Sequence, residues 1–248
     1  MRYETAEISL IGDRDQNQDR VAVAKSGNSA FLVVVDGMGG HAEGDRAAEV
    51  ARRSFVESFE VASSLIDEPA SFLADAIERA HEAVVGIGVG QAVERKPRAT
   101  CAICLVLNGS AWWAHVGDTR VYLVRENKVL ERTRDHSHVE VLFSEGLITE
   151  EEIHAHPMRH YVECCLGGES ALPHTDDELP GRKLESGDTL LVCSDGLWSG
   201  LTDAYIGLSC LSEKSVSEWL GSLSERAVAS NAPYSDNTTA AALRLIES

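Results

Sequence analysis

Residues 31–41, FLVVVDGMGGH, place an aspartate and a glycine-rich turn directly after five apolar residues. Three of the five are β-branched valines, so the run predicts a strand that is buried on both faces. The glycines allow a tight turn and let a backbone carbonyl group approach a ligand closely. An aspartate at the exit of a buried strand needs a partner. A bound cation is one such partner, and an ordinary Asp-capped turn is the alternative for a single motif.

A second copy of the pattern lies far downstream and favours the cation. Residues 190–197, LLVCSDGL, repeat the order of apolar strand, aspartate, glycine and apolar residue. Carboxylates that meet at buried strand ends repel one another and raise one another's pKa unless a cation is bound. The aspartates at expected strand ends or tight turns are Asp19, Asp36, Asp118, Asp195 and Asp236.

These carboxylates predict the kind of metal ion and the kind of chemistry. A ligand set made only of oxygen atoms selects hard ions such as Mg²⁺ or Mn²⁺. A bridging carboxylate such as Asp36 holds two ions about 3.5 to 4 Å apart, which generates metal-bound hydroxide and favours phosphoryl transfer to water. Arg14 lies in the acidic loop of residues 12–20. Because a guanidinium group binds phosphate oxygens bidentately, we expect Arg14 to bind substrate.

Composition excludes several classes of partner. The chain has 248 residues and a formal net charge of -18. Such an acidic surface repels nucleic acid and anionic membranes, so we expect neither as a partner. The N-terminal residues lack the apolar core of a signal peptide, and no stretch approaches the ~20 apolar residues of a membrane span. The sequence therefore predicts a cytoplasmic protein, and its cysteines lack the density of a disulfide scaffold.

Two other sets of candidate metal ligands carry less weight. Cys101 and Cys104 have the spacing of a zinc pair, but they lie in a strand pattern. Residues three apart in a strand point to opposite faces and do not share a metal ion. His154, His156 and His160 have no carboxylate at metalloprotease spacing, and we expect them to be solvated.

Hydrophobic periodicity predicts a mixed fold. Most predicted strands follow one another through short turns, whereas the helices fall in blocks, which favours antiparallel sheets covered by helices over a doubly wound βαβ fold. Residues 135–168 switch to helical periodicity between strands, so this insertion is expected to lie over a surface or a site. Without a linker or an internal repeat, one domain of residues 1–248 is expected. Longer helices are predicted at 43–60, 69–87 and 215–230, and the last strand at 238–246.

Five motifs in order resemble those of the metal-dependent serine/threonine protein phosphatases of type 2C, especially the compact bacterial form. The resemblance covers nearly the whole chain, and it implies an α+β fold, a four-layer α-β-β-α sandwich of two mainly antiparallel sheets flanked by helices. It also implies a metal cleft at one edge of the sheets, with residues 135–168 as a helical flap involved in substrate choice. The motifs are RDQNQD (14–19), DGMGGH (36–41), GDTR (117–120), SDGLW (194–198) and DN (236–237).

The resemblance implies a metal-binding role for five residues. Asp36 would bridge two Mn²⁺ or Mg²⁺ ions, and Gly37 would offer its carbonyl group to the first ion. Asp195 and Asp236 would bind the second ion. Asp118 would help to hold a third, weaker ion.

Other motif residues are implied to act on substrate and water. Arg14 would bind the substrate phosphate, and Asp19 would order metal-bound water. The implied reaction is an in-line attack on phosphorus by a metal-bridging hydroxide, without a phosphoenzyme. Animal members carry a histidine, their proposed general acid, where this chain has Met38. The proton donor therefore stays open between His41 and metal-bound water.

The resemblance implies a monomeric phosphoserine/phosphothreonine protein phosphatase that reverses the action of a cytoplasmic Ser/Thr kinase. One alternative is an inactive member that binds a phosphopeptide or a partner without turnover. The full set of carboxylates together with Arg14 argues against this alternative. Another is a hydrolase of small phosphoesters, over which the flap favours a protein substrate.

Overall fold

The computed structural model describes residues 2–38, 42–63, 65–169, 172, 181–210 and 215–247. Over these residues the strands form two five-stranded sheets in which every neighbouring pair is antiparallel. The first sheet has the spatial order β1 (Arg2–Leu10), β10 (Thr238–Glu247), β9 (Thr189–Cys193), β6 (Arg120–Arg125) and β7 (Lys128–Arg132). The second has the order β2 (Asp19–Ser26), β3 (Ser29–Met38), β4 (Arg98–Leu107), β5 (Ser110–Val116) and β8 (Arg182–Lys183).

Helices cover the outer face of each sheet. The helices against the second sheet are α1 (Ala42–Ala62) and α2 (Pro69–Ile87). Those against the first sheet are α5 (Asp195–Trp198), α6 (Asp203–Ser209) and α7 (Val216–Asn231). The inner faces of the two sheets pack on each other, so the layers run helix, sheet, sheet, helix. The predicted α+β sandwich of two antiparallel sheets flanked by helices is confirmed.

The apolar run of β3 lies in two cores at once. Phe31, Val33 and Val35 pack towards α1 and α2, whereas Leu32 and Val34 pack between the sheets. All five side chains are fully buried. Because side chains alternate along a strand, a run that is apolar at every position fits only a strand covered on both faces. This is the strand that residues 31–35 predict.

The two cysteines with zinc-like spacing lie in different cores. Cys101 packs in the core between the second sheet and its helices, and Cys104 packs between the sheets. Their side chains therefore point to opposite faces of β4, as the strand pattern predicts.

The end of β3 differs from the prediction. The ladder does not stop before Asp36, because Asp36, Gly37 and Met38 continue to pair with β4 as far as Arg98. The carboxylate is therefore carried by the strand itself and not by a turn beyond it. The turn residues 39–41 lie outside the described residues.

A short helix after β9 was not predicted either. Asp195 is the first residue of α5, with Ser194 before it in an extended conformation. The polar sequence Ser-Asp-Gly suits a helix start as well as a loop. Four residues are too few for helical periodicity to show in the sequence.

Residues 135–168, called the flap below, contain two helices, α3 (His138–Ser144) and α4 (Glu150–Ala155). A capping box begins α4, in which the Glu152 carboxylate accepts a hydrogen bond from the backbone N–H of Thr149 at 2.7 Å. Single β-bridges from Ser137 to Val162 and from Ala99 to Leu166 fix the two ends of the flap. Among the described helices, none is both long and apolar enough to cross a membrane.

Candidate active site

The predicted metal ligands meet in one cleft at an edge of both sheets. The cleft has a volume of about 500 Å³. Asp19 is buried beside the cleft. It lies on β2, where it pairs with Asp36 of the neighbouring strand β3. The predicted site residues that line the cleft are Arg14, Asp36, Gly37, Asp118, Asp195 and Asp236.

Strand register explains this convergence. Cys193, at the end of β9, pairs with Arg120 at the start of β6 and with Ala240 near the start of β10. Asp195 follows β9, whereas Asp118 and Asp236 precede β6 and β10. In an antiparallel sheet these three positions lie beyond the same edge.

The two half-buried carboxylates in the centre of the cleft are hard to ionise together. Burial raises the pKa of Asp36 well above its usual range, and the charges of Asp19, Asp195 and Asp118 raise it further. Burial likewise raises the pKa of Asp195, with Asp118 as the first of the neighbouring charges that add to the effect. Each aspartate therefore disfavours the charge of the others, as in a site that awaits a cation.

Asp19 is held by the residue that precedes Asp195. The Ser194 hydroxyl donates to Asp19 Oδ2 at 2.8 Å and accepts a hydrogen bond from the Thr239 backbone N–H at 3.0 Å. Burial raises the pKa of Asp19 from 3.8 to about 7, although hydrogen bonds from Ser194 and Thr239 oppose the rise. A fully buried serine thus ties the aspartate on β2 to the end of β9. Nothing local in the sequence marks Ser194 for this role, because its partners are distant along the chain.

Arg14 lies at the cleft, but its partner in the structure is a predicted metal ligand. Its Nη2 donates to Asp236 Oδ2 at 2.6 Å, while Oδ1 of the same carboxylate accepts from the Asn237 N–H at 2.8 Å. Arg14 and Asp236 are both substantially exposed, so their ion pair adds little to stability. The guanidinium group is therefore close enough to the carboxylates to bind an anion that a metal ion attracts.

Asn237 holds the acidic loop to the last strand. Its Oδ1 accepts from the Gln18 N–H at 2.8 Å, and its Nδ2 donates to the carbonyl oxygens of Ile11 and Gln16 at 2.8 and 2.9 Å. One amide group thereby satisfies three backbone groups of a segment more than 200 positions away in sequence. The motif DN contains this residue, but nothing local in the sequence shows where the amide group binds.

The loop that carries Asp118 is fixed from three sides. The hydroxyl groups of Thr119 and Thr100 lie 2.6 Å apart. The Gly117 carbonyl accepts from the His136 backbone N–H at 2.8 Å. On the third side, the Trp198 indole Nε1 donates to the Asp118 carbonyl oxygen at 2.8 Å. The backbone of Asp118 is therefore pre-positioned by contacts with β4, the flap and α5.

Trp198 in turn packs on a buried ion pair at the base of the flap. The Arg120 guanidinium carbon lies 3.5 Å from the Trp198 ring centroid. Arg120 binds both carboxylate oxygens of Asp135 at 2.7 Å, and both side chains are almost fully buried. A bidentate pair of this kind has a defined geometry. The indole ring is therefore held in one orientation beside the site.

Gly37 has no room for a side chain. A Cβ atom there would lie 2.1 Å from the carbonyl oxygen of Gly44 in α1 and 2.8 Å from that of Gln18. Only glycine permits this approach of three backbone segments beside Asp36.

The donor chemistry fits a hard divalent cation, although the carboxylates do not form a closed ligand set. Over the described part of the chain, no group of three or more His, Cys, Asp or Glu side chains is arranged to hold a metal ion by itself. Asp236, for example, is engaged by Arg14. The available donors are carboxylate and carbonyl oxygens, which suit Mg²⁺ and Mn²⁺, and Mg²⁺ usually retains several water ligands.

Comparison with known proteins agrees with the geometry. A family model described as protein phosphatase 2C matches residues 9–235. The chain belongs to this family. The serine/threonine protein phosphatase PstP of Mycobacterium tuberculosis is 31% identical over 230 residues, which are 91% of this chain and 41% of PstP. The protein phosphatase PhpP of Streptococcus pneumoniae is 31% identical over 207 residues, 81% of this chain and 82% of PhpP.

Solved structures of phosphatases share the fold. The serine/threonine phosphatase of S. agalactiae superposes with a TM-score of 0.87 at 27% identity, over 99% of this chain and 100% of that one. The catalytic domain of PstP, solved in complex with two manganese ions, gives a TM-score of 0.78 at 28% identity and 99% coverage of both chains. This phosphatase 2C chain spans only about two fifths of the length of full PstP.

Met38 lines the cleft, and its thioether carries no proton to transfer. His160, which the sequence predicts to be solvated, is exposed on the flap and also lines the cleft. Burial lowers the pKa of His160, and the charge of Arg159 lowers it further. His41 lies outside the described residues, and so does the side chain of His154.

The raised pKa of Asp19 predicts a pH-dependent effect of metal on stability. In metal-free protein this group stabilises the fold at low pH, and the contribution is lost as pH rises from 3.8 to about 7. Divalent cations bind the deprotonated carboxylates and restore stability at higher pH. We expect Mn²⁺ to raise Tm more at about pH 7.5 than at about pH 5. Thermal unfolding with Mn²⁺ or with chelator measures the difference, and equal shifts at both pH values would contradict the prediction.

Replacing Trp198 by Phe removes the donor to the Asp118 carbonyl oxygen and keeps an aromatic ring. We expect the affinity for the most weakly bound Mn²⁺ ion to fall about tenfold, because the backbone of Asp118 loses one of its anchors. Isothermal titration calorimetry measures this without turnover. Trp219→Phe is a matched control, since the Trp219 indole donates to Ser209 Oγ at 3.0 Å in the distant core beneath α7. Equal losses in both variants, or none in Trp198→Phe, would refute the role of the hydrogen bond.

Proposed function

We propose that this chain is a metal-dependent protein phosphatase that hydrolyses phosphoserine and phosphothreonine esters. The convergence of Asp36, Asp118, Asp195 and Asp236 with Arg14 in one cleft carries the proposal. Family membership and the phosphatase names of its relatives support it. The ions, Mn²⁺ or Mg²⁺, would be held by the four aspartates and the carbonyl group of Gly37, and when bound they activate water and neutralise phosphoryl charge.

Side chains of the protein itself bind and orient the phosphate and the water. Arg14 lies at the mouth of the carboxylate cluster, where its guanidinium group would bind phosphate oxygens of the substrate in place of the Asp236 carboxylate. Asp19, held by Ser194, accepts hydrogen bonds from water ordered beside Asp36. Asn237 keeps the loop that carries Arg14 in place. These groups therefore orient the phosphate and the water before reaction, which is the main contribution of a protein to phosphoryl transfer.

We also propose that residues 1–248 act as one catalytic domain, as a monomer in the cytoplasm. The substrates are proteins phosphorylated by a Ser/Thr kinase. The flap beside the cleft supports a protein substrate over a small phosphoester, because it adds surface that only a larger substrate contacts.

Loss of a central carboxylate tests the activity. We expect Asp195→Asn to reduce phosphate release from a phosphothreonine peptide at least about a hundredfold, because one metal ligand loses its charge. Excess chelator should abolish wild-type turnover. Asp67→Asn, at an exposed position before α2, serves as a control and should keep full activity. Wild-type turnover that persists in excess chelator would refute the mechanism.

Arg14→Ala separates phosphate binding from metal binding. We expect KM for a phosphothreonine peptide to rise about tenfold, because the substrate loses a charged hydrogen-bond donor. Mn²⁺ affinity, measured by calorimetry, should not fall, since Asp236 is released from its ion pair. Arg46→Ala on the exposed face of α1 is the matched control. A loss of Mn²⁺ affinity in Arg14→Ala would assign the residue a structural role instead.

A further inference from the structure

A second concave surface, called the flap groove below, continues from the catalytic cleft. It has a volume of about 540 Å³ and lies between the flap and the segment from α5 to the start of α6. His160 lines both the cleft and the groove. A polypeptide with one side chain in the cleft therefore reaches the groove with a neighbouring residue.

The charges on the walls of the groove balance one another. Two arginines of the groove already form ion pairs. Arg120 binds Asp135, and the Nε of Arg132 lies 2.8 Å from Oδ2 of Asp203. The groove therefore carries no excess of negative charge, in contrast to the chain as a whole, whose net charge is -18. A phosphoprotein, which carries negative charge to the site, meets no added repulsion here. The charged groups that line the groove are Arg120, Arg132, Arg159, Asp135, Glu150 and Asp203.

Apolar groups line the groove on both sides. Ile153 of α4 lines the flap side, and Trp198 and Leu201 line the opposite side. All three side chains are partly exposed, so each has surface left to cover. The Trp198 ring is held in place by the Arg120 guanidinium group and by its hydrogen bond to the Asp118 carbonyl oxygen. A pre-positioned aromatic ring binds an apolar side chain at little cost in conformational entropy.

We propose that the flap groove binds an apolar side chain of the phosphoprotein substrate, close in sequence to the phosphorylated residue. This inference rests on the proposed phosphatase activity and adds a selectivity determinant to it. The occupant is the substrate polypeptide itself, because the groove is continuous with the cleft that holds the phosphorylated residue. Ile153 and Trp198 contact the apolar side chain from opposite walls.

The proposal can be tested with pairs of phosphothreonine peptides. The two peptides of a pair carry Leu or Ser at the same flanking position, and each flanking position is tested in turn. We expect one flanking position at which Leu raises kcat/KM about tenfold over Ser, the discrimination that an apolar pocket gives. Ile153→Asp should remove this preference, because it places a charge on the groove wall. Turnover of para-nitrophenyl phosphate, which is too small to reach the groove, should change less than about twofold in this variant.

Leu147→Asp is the matched control, since Leu147 is also on the flap and 65% exposed but does not line the groove. This variant should keep the preference for Leu. Ile153→Ala, a milder change, should reduce the preference about threefold and keeps the test valid if the charged variant does not fold.

The outcomes separate the two proposals. If the wild-type protein releases phosphate from no peptide, the proposed function fails. If it hydrolyses Leu and Ser peptides equally at every flanking position, or if Ile153→Asp slows both kinds of peptide to the same extent, the groove proposal fails and the phosphatase activity stands.

Discussion

Mutual repulsion among carboxylates is the constraint on which the structure of the site depends. Asp36 and Asp195 follow two buried apolar strand runs, and neighbouring carboxylates raise the pKa of both, Asp195 and Asp19 that of Asp36, and Asp118 and Asp236 that of Asp195. Flexible loops would relieve this repulsion by moving the charges apart. The strands β3 and β9 resist such a displacement, because both are buried on both faces between packed layers. Core packing thus supports an arrangement of charge that is unfavourable until a cation binds.

The groups that anchor the cluster are mostly neutral. Ser194 holds Asp19, Trp198 holds the backbone of Asp118, and Asn237 holds the acidic loop. Such donors fix the positions of the carboxylates and leave most of their charge uncompensated. A lysine or arginine buried in the same places would satisfy the carboxylates and compete with divalent ions. Arg14, the arginine that is paired with Asp236, is exposed and hence able to exchange its partner.

Local patterns were enough to predict the strands, the long helices and the aspartates that meet in the cleft. The apolar run at 31–35 and the helical periodicity at 43–60, 69–87 and 215–230 depend on residues only a few positions apart, so they are visible in the sequence. The continuation of β3 through Asp36 was missed, because it depends on pairing with β4. The binding of Asn237 to the loop near Gln18 was missed for the same reason, since its partners are distant in sequence.

The neighbouring positions of the first and last strands affect when the site forms during synthesis. β1 pairs along its whole length with β10, and the acidic loop after β1 is held by Asn237, just before β10. A nascent chain that ends before Asp236 lacks one carboxylate of the cluster. It also lacks β10, the strand with which β1 pairs. The order of the strands therefore delays a complete site until the final strand has left the ribosome.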